Sequence, residues 1–137
     1  MGTFHTRCHI ENPVLRNRRA AMPAMLVDTG SEYSWVPARI LDRLTIKREK
    51  KDVRFVMANG EHITRSVGFA IIRLNEFFTI DEVVFGEPGD LTLLGARTLE
   101  ELNLRVDAQQ KKLVAAGPVP AAVPRLSRFA PIRKSTR

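Results

Sequence analysis

Asp28-Thr29-Gly30-Ser31 is the run best suited to chemistry in this 137-residue chain. A mostly apolar stretch, Ala21 to Val27, leads straight into it. A carboxylate at the end of a buried strand projects from a rigid base. Gly30 lets another backbone approach closely. Thr29 and Ser31 supply hydroxyls that hold the loop or the carboxylate. The same residues also make an ordinary exposed turn, in which Asp and Gly simply provide the bend. Taken alone, the tetrapeptide supports both readings equally.

The chemistry open to such a carboxylate is general acid–base hydrolysis, and for an amide that takes two carboxyl groups. One must be ionised to take a proton from water, and the other protonated to polarise the carbonyl. Two carboxylates in close contact cannot both ionise, so they share a proton. Asp-Thr-Gly occurs once here, and Gly89-Asp90 lacks the following Thr-Gly. No rival constellation competes. His5 and His9 are four apart with Cys8 on the opposite side of an extended segment, and His62 stands beside a turn, so no metal-ligand set assembles. Cys8 reads as a small buried side chain. No Gly-rich phosphate loop and no Ser-His-Asp arrangement is present.

The elements that must position Asp28 are legible from periodicity. Thr3 to Ile10 and Ala21 to Val27 read as strands on either side of an arginine-rich connection. Tyr33 to Val36 is another strand, and Pro37 opens a short helix with Ile40, Leu41 and Leu44 on one face. Val53, Phe55 and Met57 alternate with polar residues up to Asn59-Gly60, a strong hairpin signal. Val67, Phe69 and Ile71 continue the alternation toward Leu74, and Phe78, Ile80 and Val83-Val84-Phe85 form the next strand. Glu87-Pro88-Gly89-Asp90 fits a type II turn. Leu91 to Leu94 is a short strand ending at Gly95. Thr98 to Leu102 reads as a helix, and Arg105-Val106-Asp107 pairs with Leu113-Val114-Ala115 in a last hairpin. About nine short strands and one or two short helices predict a mostly β barrel or sandwich.

With these pieces in order the chain resembles the retropepsin-like aspartic proteases, which include the retroviral enzymes and small bacterial relatives. The pieces are Asp28-Thr29-Gly30 after an apolar strand, the hairpin at Asn59-Gly60, Leu93-Leu94-Gly95, and the helix from about Arg97 to Leu102. The resemblance covers roughly Thr3 to Ala115. It implies an all-β fold, a retropepsin-like closed barrel or sandwich with one short C-terminal helix, which works as a dimer. It implies that Asp28 is the catalytic aspartate and that Thr29, Gly30 and Ser31 support its loop. It places Met57, Ala58, Asn59 and Gly60 in a flap over the substrate, and Leu94 and Gly95 behind the loop. With one Asp-Thr-Gly per chain, the second Asp28 comes from a second subunit on a two-fold axis. The expected activity is that of a homodimeric aspartic endopeptidase acting on peptide or protein substrates, with water as nucleophile and neither cofactor nor metal. Departures from the viral pattern are a flap tip with a single glycine, and Ser31-Glu32 where alanine and aspartate are usual. Arg97 and Glu32 are placed to form an ion pair beneath the loop.

The charge of +7 belongs largely to residues 117–137. That segment holds Arg125, Arg128, Arg133, Lys134 and Arg137, no acidic residue, and four prolines. Residues 1–116 are therefore expected to be the protease domain, and 117–137 a disordered, solvated tail. A nucleic-acid contact is expected only through that tail. One cysteine and no apolar leader or spanning segment predict a soluble, cytoplasmic protein without membrane contact. The alternative reading keeps the fold and loses the chemistry: an inactive dimerisation or peptide-binding module whose cleft accepts an added strand.

Overall fold

The computed structural model describes residues 3–122. Strands β1 (Phe4–Glu11), β2 (Arg19–Val27), β3 (Ser34–Pro37), β4 (Lys50–Val56), β5 (His62–Leu74), β6 (Phe77–Gly86) and β7 (Leu93–Leu94) form one seven-stranded sheet. Their order is β1-β2-β7-β3-β6-β5-β4, and β1 pairs additionally with β5. A separate hairpin joins β8 (Leu104–Asp107) to β9 (Lys112–Ala115). Two six-residue helices, α1 (Ala38–Arg43) and α2 (Ala96–Glu101), complete a mostly β chain. Among the described residues no helix is long and apolar enough to cross a membrane. Most of the basic, proline-rich tail lies outside the described residues.

Local sequence explains the main irregularities. Pro23 stands inside β2 and has no N–H for a ladder. The β1–β2 register slips there, from Thr6 opposite Met25 to Cys8 opposite Met22, so the proline falls in a bulge. The turn at Glu87–Asp90 closes with the Asp90 N–H on the Glu87 carbonyl at 2.9 Å, and Gly89 has φ +96°. That is the type II geometry its proline and glycine predict. Pro37 takes the N-cap of α1, one position before the first helical residue.

The main core gathers Ile10, Met25, Val36, Leu41, Ile72, Val83, Phe85 and Leu94. Cys8 is buried among them with its thiol on the Met25 sulfur, and burial pushes that thiol up to about 12. It is a core side chain. A smaller cluster of Trp35, Val67, Val84 and Leu93 lies on the opposite side of the sheet.

Two strands follow their apolar alternation in part: Val67 and Ile71 of β5 and Val83, Val84 and Phe85 of β6 are buried. Along β5, Ala70, Ile72 and Leu74 join the main core while Phe69 is 41% exposed. Along β6, Phe78 and Ile80 face outward, while Asp81, Val83 and Phe85 are buried. Asp81 shares the buried face of β6 with Val83 and Phe85, its carboxylate hydrogen-bonded there. Ile10 is fully buried in β1, opposite Ala20 on one side and Ile72 on the other. Ile10→Val is expected to lower stability by about 0.5–1.5 kcal/mol, read from the denaturant midpoint at unchanged slope.

Candidate active site

Asp28 follows the last residue of β2. Its position is fixed from behind by β7, which runs parallel to β2 with Val27 opposite Leu94. The Asp28 N–H donates to the Leu94 carbonyl at 3.0 Å. The Asp28 carboxylate accepts the Gly30 N–H on Oδ1 at 3.0 Å, and the Asp28 carbonyl accepts the Ser31 N–H at 3.2 Å. The Ser31 hydroxyl donates to the Tyr33 carbonyl at 2.9 Å, while Thr29 is exposed. A Cβ on Gly30 would sit 3.2 Å from Asp28 Oδ1, so the glycine keeps space beside the carboxylate.

Helix α2 holds the other side of this loop. The Ala96 N–H donates to the Ser31 carbonyl at 2.7 Å, and the Arg97 N–H to the Glu32 carbonyl at 3.1 Å. Gly95 approaches the Glu32–Tyr33 backbone so closely that any Cβ there would strike the Tyr33 carbonyl. The motif Leu93-Leu94-Gly95 thus has a geometric meaning: a strand partner for β2, then a residue with no side chain where two backbones meet.

The β4–β5 hairpin faces the loop. Its turn differs from a two-residue Asn-Gly turn. Met57 N–H bonds the Glu61 carbonyl at 2.8 Å, Gly60 N–H bonds the Met57 carbonyl at 2.8 Å, and only Gly60 has positive φ, +86°. This is a three-residue loop with a left-handed glycine last. The Asn59 side chain accepts the Glu61 N–H at 2.9 Å. Between loop and hairpin lies a cavity of about 480 Å³. Asp28, Gly30 and Ser31 line it from one side, and Met57 and Ala58 from the other; Asn59 and Gly60 lie beyond its lining, exposed at the tip.

Among the described residues no group of three or more His, Cys, Asp or Glu is placed to hold a metal ion. The cavity is open to solvent and lined by an apolar wall and by the acidic residues Asp28, Glu32 and Asp90.

Residues 17–101 match the family described as gag-polyprotein putative aspartyl protease. The chain belongs to this family. The matched stretch runs from the arginine-rich connection before β2 through the Asp28 loop, the β4–β5 hairpin and Leu93-Leu94-Gly95 to the end of α2. Membership in an aspartyl protease family points to peptidase activity. No curated protein matches the chain.

Several residues that line the candidate site of this gag-type aspartyl protease family member are not legible in the sequence. Tyr33, Trp35 and Phe55 form the apolar wall; the Phe55 ring stands 5.5 Å from Tyr33, edge to face, and 5.2 Å from Trp35. Their alternation along β3 and β4 signals a shared face but not which face meets the cleft. Arg97 turns away from the ion pair expected with Glu32. Its guanidinium lies 4.8 Å over the Tyr33 ring and bonds Glu82 at 3.3 Å. Glu82 also takes Lys50 of β4 at 2.7 Å, so one carboxylate joins α2, β6 and the hairpin.

Arg65 on β5 grips Asp90 with two bonds, 2.7 and 2.9 Å, and Asp90 lines the cavity. The hairpin is thereby tied to the β6–β7 loop. Bonds from Arg65 hold the Asp90 carboxyl below its usual range, and bonds from Lys50 do the same for Glu82. A carboxylate lowered in the folded state binds fewer protons there than in the unfolded chain. Its stabilisation is present above its unfolded pKa and is lost as pH falls through the folded one. The thermal midpoint is therefore expected to drop on acidification below the ordinary carboxylate range. Arg65→Met should lower the midpoint at neutral pH and weaken this acid dependence. An unchanged midpoint at every pH would show that the Arg65–Asp90 pair does not stabilise the fold.

Proposed function

We propose that the chain is an aspartic endopeptidase, active as a homodimer, with Asp28 of each subunit forming the catalytic pair. What carries the reading is the placement of Asp28 at a fixed strand end on a cavity walled by the β4–β5 hairpin, in a chain of the aspartyl protease family. The ladder order, with β1 bonded to both β2 and β5, supports a closed barrel as the rigid frame.

One Asp-Thr-Gly per chain sets the need for two subunits. In the dimer one Asp28 carboxylate takes a proton from water, and the protonated Asp28 of the partner subunit polarises the peptide carbonyl. The water attacks, the tetrahedral intermediate collapses, and the amine leaves with the proton. Thr29, exposed on its loop, bonds the loop of the partner subunit in this dimer. Met57 and Ala58 cover the peptide from the hairpin side, and the Tyr33–Trp35–Phe55 wall takes an apolar side chain.

The test is a peptide-library cleavage assay run with light scattering on the same sample. Cleavage inhibited by pepstatin, in a species of dimer mass, is expected. A strictly monomeric, inactive chain across pH and concentration would overturn the reading and leave a binding module of the same fold.

A further inference from the structure

Behind the Asp28 loop runs a chain of buried polar groups that the hydrolytic step does not use. The Gly95 N–H donates to Ser34 Oγ at 3.0 Å. Ser34 Oγ lies 2.6 Å from Thr98 Oγ1, and Thr98 Oγ1 donates to Asp81 Oδ2 at 2.7 Å. Because the Thr98 proton goes to the carboxylate, Ser34 is the donor to Thr98. Ser34 and Thr98 are fully buried and Asp81 is 5% exposed. The other Asp81 oxygen accepts the Glu82 N–H at 2.7 Å. Buried groups so connected fix one geometry, because a broken link leaves a polar atom without a partner.

We propose that Asp81 is a positioning residue for the Asp28 loop, acting through Thr98 and Ser34 on Gly95. This rests on the reading of Asp28 as the catalytic aspartate. The connection is short. Gly95 begins the turn whose next two N–H groups, of Ala96 and Arg97, hold the Ser31 and Glu32 carbonyls. A shift of α2 against β6 therefore moves the loop.

The experiment compares the amide resonances of Gly95, Ala96 and Ser31 in the full native chain with those in Asp81→Asn and Thr98→Val. Shifts at all three amides are expected in both variants, with Thr98→Ser close to native. Amides that neither substitution moves overturn the proposal whether or not the chain cleaves peptides. In the otherwise native chain Thr98→Val is expected to lower kcat about tenfold with KM within about twofold, and Thr98→Ser to restore it. A loss carried by KM alone, or none, counts against positioning. A native chain without cleavage overturns the protease reading separately.

Discussion

Asp28→Asn is expected to lower kcat by about 10²- to 10⁴-fold or more, because each subunit loses its only proton-transfer group at once. The fold should survive. The carboxylate is half-buried, and its bonding role in the loop is to accept the Gly30 N–H on Oδ1. An asparagine carbonyl oxygen accepts the same bond, so the turn stays closed and stability should change by no more than about 0.5 kcal/mol. Loss of cleavage with an unchanged unfolding midpoint separates chemistry from structure. Retained cleavage would remove Asp28 from the mechanism.

The second large effect is expected at Gly95. Alanine there would put a Cβ into the Tyr33 carbonyl and 2.7 Å from the Glu32 carbonyl oxygen. Both obstacles are backbone, and neither can rotate aside as a side chain end can. Relief requires α2 to retreat from the loop, which stretches the Ala96–Ser31 and Arg97–Glu32 bonds. Overpacking of this kind costs about 1–3 kcal/mol. A loop displaced by about 1 Å loses on the order of 10²-fold in rate. Gly95→Ala should therefore damage both the unfolding midpoint and kcat, in contrast to Asp28→Asn. A variant with native stability and activity would show that the close approach is not needed.

The contrast between these positions tracks what a sequence can convey. The strand before Asp28, the hairpin after Phe55 and the turn at Pro88-Gly89 follow from local rules, since alternation, turn chemistry and glycine placement act over a few residues. Leu93-Leu94-Gly95 was legible as a motif, and its geometry supplies the reason. Ser34, Thr98 and Asp81 were not legible. They are 64 and 17 residues apart along the chain, and nothing local distinguishes a buried threonine from a surface one. The sequence does not show which carboxylate Arg97 meets: its guanidinium bonds Glu82 and lies over the Tyr33 ring, and Glu32 offers Arg97 only a backbone carbonyl.

The central claim is that one site needs an Asp28 from each of two chains, and subunit mixing tests it most directly. Native chain is equilibrated with the Asp28→Asn variant at constant total concentration, and cleavage is followed against the native fraction. If the site is shared, mixed dimers are inactive and the rate follows the square of that fraction, about one quarter at equal proportions. A rate that falls in simple proportion, to about one half, would mean that each chain works alone, contradicting the shared site.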